Sequence, residues 1–253
     1  MSILSVLLLS VALADLARTG RMTRPAATGV AALVGVAAVA ILGALTDLAT
    51  AGDITLLVVA AVTTVAWVVL SGRALRAFGA DLAALAALGV GILALLLWSG
   101  HASPVRGPFA HWLGWTGLAP GLDPGRALLL MALVALQLST GNVIVRLVLG
   151  AVGAIRPSGE PQPSDSLKGG RLLGPMERIL ILGLGLAGQL TAAGIVIAAK
   201  GLIRFPELQA KRNDSQTVTG VGIDAVTEYF LVGSFVSWLI ALTSLAAVHL
   251  GTT

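Results

Sequence analysis

Charged residues stand at the ends of two apolar stretches in the last third of the chain, and their types suggest anion binding. Together with one tyrosine they are Glu177, Arg178, Lys200, Arg204, Glu228 and Tyr229. Lys200 and Arg204 are four residues apart and so share a helix face, with Glu228 expected as their neighbour across the following loop. Two cations beside two carboxylates suit a lipid phosphate or another anionic group. A salt-bridge network that only joins the two stretches is the alternative, and both interpretations stay open.

A second polar set lies in LQLSTGNVIVRLVL, at 136–149. Ser139, Asn142 and Arg146 are separated by three and four residues, which predicts that they line one face of a helix. Polar groups inside a membrane are often functional, so this face is a candidate wall of a polar cavity or ligand path. The alternative is that the small polar residues bond neighbouring helices while Arg146 extends to the membrane surface.

The stretch ILILGLGLAGQLTA, at 179–192, contains a G-x-G-x-x-G at Gly183, Gly185 and Gly188. That pattern is typical of a dinucleotide-binding turn, which needs a parallel sheet and about a hundred soluble residues around it. Both flanks here are apolar and leave no room for a second strand. The four-residue spacing of Gly183, Ala187 and Thr191 instead predicts close packing of membrane helices, and the glycines mark where a helix would break.

Other catalytic and cofactor chemistries find no support in the sequence. The chain has no cysteine, and no zinc-protease or nucleophile-elbow motif occurs in it. His101 and His111 share a loop with Trp112 and Trp115, but two histidines alone are poor evidence for a metal. We therefore expect no cofactor and no catalytic residue. A membrane enzyme that acts on lipid is the least favoured alternative.

The elements that must position these residues are membrane helices. The chain has 253 residues, of which 57% are hydrophobic and 11% charged, with a mean hydropathy of +0.95. A soluble domain has about 25% charged residues, so hydrocarbon is the expected surrounding medium. Lysine and arginine lie in short clusters between apolar runs, which is typical of membrane topology and not of nucleic-acid binding.

The predicted fold is an all-α polytopic transmembrane bundle with six or seven crossings. The first apolar segment lacks a positive start and is interpreted as a retained span. Residues 1–155 form a predicted five-span N-terminal bundle, 156–170 a flexible linker rich in proline, serine and glycine, and 171–253 a two-segment membrane hairpin. The apolar segments fall at roughly 2–17, 26–49, 54–71, 80–99, 126–149, 177–200 and 226–249.

Whether 177–200 crosses the membrane is left open by two rules that disagree. Twenty-four residues are long enough for one complete crossing. Seven crossings, however, place ten basic residues inside and six outside, whereas a re-entrant 177–200 gives fourteen against two. The positive-inside rule therefore favours the re-entrant segment, and segment length favours the full span.

The same C-terminal residues carry a resemblance to a known family. GGRLLGPMERILIL, GQLTAAGIVIAAKGLIRFPEL and TEYFLVGSFVSWLIA resemble the end of bacterial integral membrane proteins grouped as domain of unknown function 3307, over about 167–242. Gly201 stands where serine is usual in that family. The resemblance implies a bacterial membrane protein but no activity. The matching positions are Gly170, Arg171, Gly174, Glu177, Arg178, Gln189, Lys200, Arg204, Phe205, Glu228, Tyr229 and Gly233.

Together these observations predict a multi-pass protein of the bacterial cytoplasmic membrane. Its expected function is to bind or translocate a small anionic or lipid-like ligand at a charged site formed by the last two membrane segments. Expected partners are membrane lipids, with a partner membrane protein or a homo-oligomer as a further candidate. The alternative function is a non-catalytic membrane scaffold or partner subunit, which the small-residue stripes also suit.

Overall fold

The computed structural model describes residues 1–18, 25–76, 81–117, 121–155, 170–213 and 223–251, and every regular element in these ranges is helical. Within them, the side chains of 25, 170–172, 203–213 and 223–225 are not described. A short 3₁₀ turn, Ser99–His101, follows the fourth helix. The helices are α1 Ser2–Ala17, α2 Pro25–Leu45, α3 Ala51–Ala74, α4 Asp81–Leu97, α5 Gly107–Thr116, α6 Pro124–Leu138, α7 Thr140–Ala151, α8 Gly170–Leu186, α9 Leu190–Asn213 and α10 Ile223–Leu250.

Helix α1 is the centre of the bundle. It is apolar on all sides, and nearly every residue from Ser2 to Asp15 is buried against α2, α3 and α6. A helix that is apolar all round needs a partner on every side, which explains why the first segment is enclosed. The surrounding helices turn large apolar side chains outwards, including Leu33 (73% exposed) and Leu97 (73% exposed). An apolar exterior of this kind indicates a membrane protein.

Length and composition identify fewer spans than the sequence predicts. Three described helices are long and apolar enough to cross a membrane, at Ala26–Leu45, Ala51–Ala74 and Val226–Leu250. The bent pair α6 and α7 raises the number to four if it is one span. Helices α1 and α4 are apolar but shorter. The predicted helical membrane fold is thus confirmed in its class, while six or seven crossings do not follow from helix length.

The predicted continuous span 126–149 is broken in its middle. Helices α6 and α7 meet at Ser139 and are bent by 48°. The Ser139 hydroxyl lies 2.8 Å from the Ala12 carbonyl of α1 and 3.0 Å from the Ala135 carbonyl of its own helix. A side chain that bonds to helix carbonyls in this way often accompanies a bend. The polar sequence between Gln137 and Asn142 therefore marks a kink.

Residues 177–200 form a helical hairpin and not one straight crossing. Helix α8 ends at Leu186, Gly188 adopts a φ of 75°, and α9 begins at Leu190. The Gln189 amide donates to the Leu184 carbonyl at 2.8 Å, which closes the end of α8 in the manner of a glycine-capped helix. Of the two alternatives for 177–200, this turn agrees with the re-entrant one, because the chain reverses there and Lys200 meets Glu177. The segment after the linker consequently holds three helices, α8, α9 and α10, where two were expected.

The turn also explains the glycine pattern. Gly188 supplies the left-handed backbone conformation that a glycine adopts without strain. Gly185 lets α10 approach, because a Cβ at this position would lie 2.5 Å from Leu245 Cδ2. A Cβ on Gly183, in contrast, would have nothing within 4 Å. The predicted packing face of Gly183, Ala187 and Thr191 is wrong because α8 ends before Ala187.

The predicted linker, 156–170, lies outside the described residues except at its last position. The parts on either side of it are in contact, since α8 and α10 both pack against α6 and α7. At one end of the bundle, the start of α1 lies beside the end of α10, where a Cβ on Gly251 would be 3.6 Å from Met1 Cγ. The Ser2 hydroxyl also donates to the Ser103 carbonyl at 2.7 Å at that end.

Candidate functional site

Arg178 lies at the kink between α6 and α7, where it is 1% exposed. Its Nε and Nη2 donate to the Gln137 carbonyl at 3.2 and 2.5 Å, and Nη2 also donates to Asn142 Oδ1 at 2.8 Å. Its Nη1 donates to the Ser237 hydroxyl of α10 at 3.2 Å. The guanidinium thus joins α8 to both halves of the broken span and to α10.

The kink creates the place for this guanidinium. In an unbroken helix the Gln137 carbonyl would accept from the amide of residue 141, and a bend releases such a carbonyl for another donor. Gly141 provides the space, since a Cβ there would lie 2.8 Å from Arg178 Nε. A broken helix inside a bundle is tolerated where protein groups satisfy its backbone, and here Arg178 does so.

An ion pair lies next to Arg178, between the two helices of the hairpin. Lys200 Nζ of α9 is 2.5 Å from Glu177 Oε2 of α8. The other carboxylate oxygen, Oε1, accepts from the Trp238 indole nitrogen of α10 at 2.9 Å. The ammonium is 5.9 Å from the ring centres of both Phe230 and Trp238, which is the outer limit of a cation–π contact. The pair is partly open, with 23% of the lysine and 10% of the glutamate side chain exposed.

These three charged groups carry a net positive charge. Lys200 and Glu177 neutralise one another, while the acceptors around Arg178 are a carbonyl, an amide oxygen and a hydroxyl, all of them neutral. Counted over the described side chains of this cluster, one positive charge is left over in a setting of apolar helices, where charge is expensive and usually functional.

Four of the predicted site residues come together here: Glu177, Arg178, Lys200 and Asn142. The expected neighbour of Lys200 was Glu228, but the contact is with Glu177, because the hairpin sets α8 beside α9. Glu228 is exposed and Tyr229 is half-buried near the start of α10. The side chain of Arg204 lies outside the described residues.

The predicted polar face of the fifth segment is divided. Ser139 is buried at the kink, and Asn142 contacts Arg178, whereas Arg146 is exposed on α7. The three do not share a face because the helix is interrupted at Ser139. Asn142 belongs to the charged cluster, and Arg146 does not line it.

A second buried charged cluster lies in the N-terminal part, and no site was predicted there. Asp15 of α1 and Arg18, the residue that follows this helix, are 0% and 1% exposed and form an ion pair. Arg18 also donates to the Ser71 hydroxyl at 2.8 Å and to the Val68 carbonyl at 3.2 Å. The Trp67 indole donates to Asp15 at 3.0 Å. An acidic residue in an apolar segment with an arginine three positions on was the available sequence signal.

Neither cluster is suited to a metal. The described residues hold no group of three histidine, cysteine, aspartate or glutamate side chains that could bind one. Arg178 already makes four hydrogen bonds and is enclosed, so it has little capacity for a ligand. Lys200 is the partly exposed cation, and it is the group at which a partner can be exchanged.

Comparisons of the chain with models of known families, with curated proteins and with solved structures gave no match. The resemblance to the family of domain of unknown function 3307 stays a prediction.

Proposed function

We propose that this is a multi-pass membrane protein that binds or translocates a small anionic or lipid-like ligand at Lys200. The observation that carries the proposal is a partly exposed ammonium beside a fully buried arginine whose hydrogen-bond acceptors among the described residues are all neutral. Such a cluster attracts an anion, and the low polarity of its surroundings strengthens that attraction. Asn142 contributes indirectly, by holding the Arg178 guanidinium.

The surroundings of Lys200 favour a ligand with an apolar part. Phe230 and Trp238 of α10 flank the ammonium. Leu202, which lies on α9 together with Lys200, is 74% exposed. On α10, Phe230 lies four residues inside the apolar span, which begins at Val226. At 1.5 Å per residue, this corresponds to a depth of about 6 Å. An amphiphile entering sideways from the bilayer would reach this depth with its acidic group.

The proposed topology has six crossings, by α1, α2, α3, α4, the bent α6–α7 pair and α10, with α8 and α9 entering and leaving on one side. An even number of crossings agrees with the neighbouring positions of Met1 and Gly251. It also agrees with the charge distribution of fourteen basic residues inside against two outside. The bacterial cytoplasmic membrane is the proposed location.

Lipid retention measured by native mass spectrometry tests the proposed function. Lys200→Ala removes the partly exposed cation. We expect this variant to retain about one tenth or less of the acidic lipid that copurifies with the wild type. Arg126→Ala is the matched control, because it removes one exposed positive charge at the opposite end of α6. Equal retention by wild type, Lys200→Ala and Arg126→Ala would contradict the proposal.

One observation favours the scaffold function as a second candidate. One side of α3 presents a partly exposed apolar face, formed by Ala61, Val62, Val65, Ala66, Val69 and Leu70. Small and branched residues of this kind suit packing against another membrane helix. A partner that copurifies in constant ratio in mild detergent would support this candidate, whereas a protein that purifies alone with bound acidic lipid supports the first.

A further inference from the structure

Helix α5 lies across one end of the bundle. The Arg106 amide, just before this helix, donates to the Thr46 carbonyl at 3.1 Å, one residue beyond the end of α2. The preceding loop is fixed to the first turn of α3, where the Ser103 amide donates to Asp53 Oδ1 at 2.8 Å. With ten residues, α5 is about 15 Å long, which is half the thickness of the hydrocarbon core. It is too short to cross the membrane, and its attachments place it at the level where α2 ends and α3 begins.

Helix α5 has an inner and an outer face. Phe109 and Leu113 are half-buried, and Phe109 packs against the main hydrophobic core. Trp112 and Trp115, in contrast, are 46% and 85% exposed. These two residues are three positions apart, so their side chains are neighbours on the helix surface. The side of α5 that faces away from the bundle therefore presents two indole rings.

A third exposed indole connects this face with the outside of the bundle. Trp98 directly follows α4 and is 56% exposed. Leu93 and Leu97 lie four residues apart on α4, and both are exposed. The apolar outer surface of α4, which suits contact with acyl chains, thus ends in an indole at the end of the helix.

Polar side chains lie among these rings. His101, Arg106 and His111 are all exposed. Indole combines a large apolar ring with one N–H donor, and tryptophan is for that reason enriched where acyl chains meet lipid headgroups. Exposed charged and polar groups do not suit the hydrocarbon core itself. A mixture of indoles and polar groups at the ends of apolar helices is typical of the boundary between membrane and water.

We propose that α5 and Trp98 form an interfacial anchor, whose partner is the lipid of the leaflet at this end of the bundle. The indoles of Trp98, Trp112 and Trp115 lie at the boundary between headgroups and acyl chains. The anchor sets the height of α2 and α3 in the bilayer, because the segment that carries it is bonded to the end of one and the start of the other. Segment 98–117 contains one arginine and no acidic residue, so the contact is made by rings and does not require a charged headgroup.

Fluorescence quenching by brominated phosphatidylcholine tests the anchor on the full chain in nanodiscs. Bromine quenches indole at short range, so lipids brominated near the headgroup and lipids brominated near the chain ends report two depths. The double variant Trp112→Phe with Trp115→Phe removes two of the five indoles, and the difference from the wild type gives their emission. We expect bromines near the headgroup to quench this difference about twofold more than bromines near the chain ends. Trp67→Phe is the control, because Trp67 is 0% exposed and its loss should leave the quenched part of the emission unchanged.

The other outcomes overturn the anchor, each in a different way. Stronger quenching by bromines near the chain ends would place the indoles among the acyl chains. Quenching by aqueous iodide and by neither lipid would place α5 in water. Protection from iodide and from both lipids would mean that protein covers this face, and a dimer that the double variant loses in native mass spectrometry would identify a second copy. If Trp67→Phe does not fold, the wild type and the double variant still give the depth. Failure of the anchor leaves the proposed function standing, since the anchor does not include Lys200.

Discussion

The two buried arginines in the part of the chain that the structure describes have similar exposure and opposite electrostatics. Arg18 and Arg178 are each 1% exposed, and each bonds to a backbone carbonyl and to a serine hydroxyl on another helix. Arg18, however, has the carboxylate of Asp15 three residues earlier in the chain, whereas the hydrogen-bond acceptors of Arg178 are neutral. Arg18 thus serves to fasten α1 to α3, and Arg178 leaves a positive charge beside a second, accessible cation.

The comparison teaches that burial alone does not separate a structural charge from a functional one. A buried ion pair whose two members both belong to the fold needs no ligand to balance its charge. Loss of either member strongly destabilises the protein. A buried cation held by neutral groups keeps its long-range field, which falls slowly where the dielectric constant is low. The neighbouring Glu177–Lys200 pair lies within that field.

Removal of the Asp15 charge should have the largest effect. Asp15→Asn leaves the Arg18 guanidinium buried without its counterion, and we expect a loss of about 3–5 kcal/mol in the free energy of unfolding. Denaturation in mild detergent measures it. The double variant Asp15→Asn with Arg18→Gln should recover part of the loss. If the double variant is less stable than the single one, the ion pair is not what stabilises this region.

Removal of Arg178 should lower the free energy of unfolding less than removal of the Asp15 charge does. Arg178→Gln leaves the Gln137 carbonyl and Asn142 without their donors but creates no unpaired charge, so we expect a loss of about 1–3 kcal/mol. The same denaturation experiment ranks it against Asp15→Asn. A loss larger than that of Asp15→Asn would mean that Arg178 has the same structural importance as the N-terminal ion pair, and the contrast between them would fail.

Asn142→Asp sharpens the contrast by giving Arg178 the carboxylate that Arg18 already has. Asn142 Oδ1 is 2.8 Å from Nη2, so an aspartate there fits the existing geometry. The net charge of the cluster falls to zero, and we expect binding of decanesulfonate, a lipid-like anion, in phosphatidylcholine nanodiscs to weaken about tenfold, or roughly 1.4 kcal/mol. Asn142→Ser is the control, since it changes the side chain but adds no charge. Unchanged binding in Asn142→Asp would show that the buried charge does not assist the site.

The smallest expected effect concerns how closely the hairpin approaches α10. Gly185→Ala sets a methyl group 2.5 Å from the original position of Leu245 Cδ2, and Leu245 must move. Gly183→Ala meets open space and gains helix propensity. We expect Gly183→Ala to be the more stable variant by about 1 kcal/mol in thermal unfolding. The reverse order would exclude the close contact between α8 and α10.

Much of the fold could be predicted from local sequence. The positions of α2, α3 and α10 followed from their length and apolar composition, and the cluster of Glu177, Arg178 and Lys200 was selected because charge is rare in this chain. The hairpin was only an alternative, because a glycine at 188 is as compatible with helix packing as with a turn. The Asp15–Arg18 cluster was missed as a site because an arginine after an apolar segment also fits membrane topology.

What the sequence by itself determined is the medium and the class of structure. With 57% hydrophobic and 11% charged residues, the chain is expected to have hydrocarbon around it, and its long apolar runs are typical of membrane helices. What only the tertiary structure decided is which groups meet. Arg178 finds Gln137 41 positions earlier and Ser237 59 positions later, and Lys200 finds Glu177 and not Glu228. Periodicity reports on neighbours within a turn or two, whereas the choice among distant partners depends on how complete helices pack and where the chain reverses.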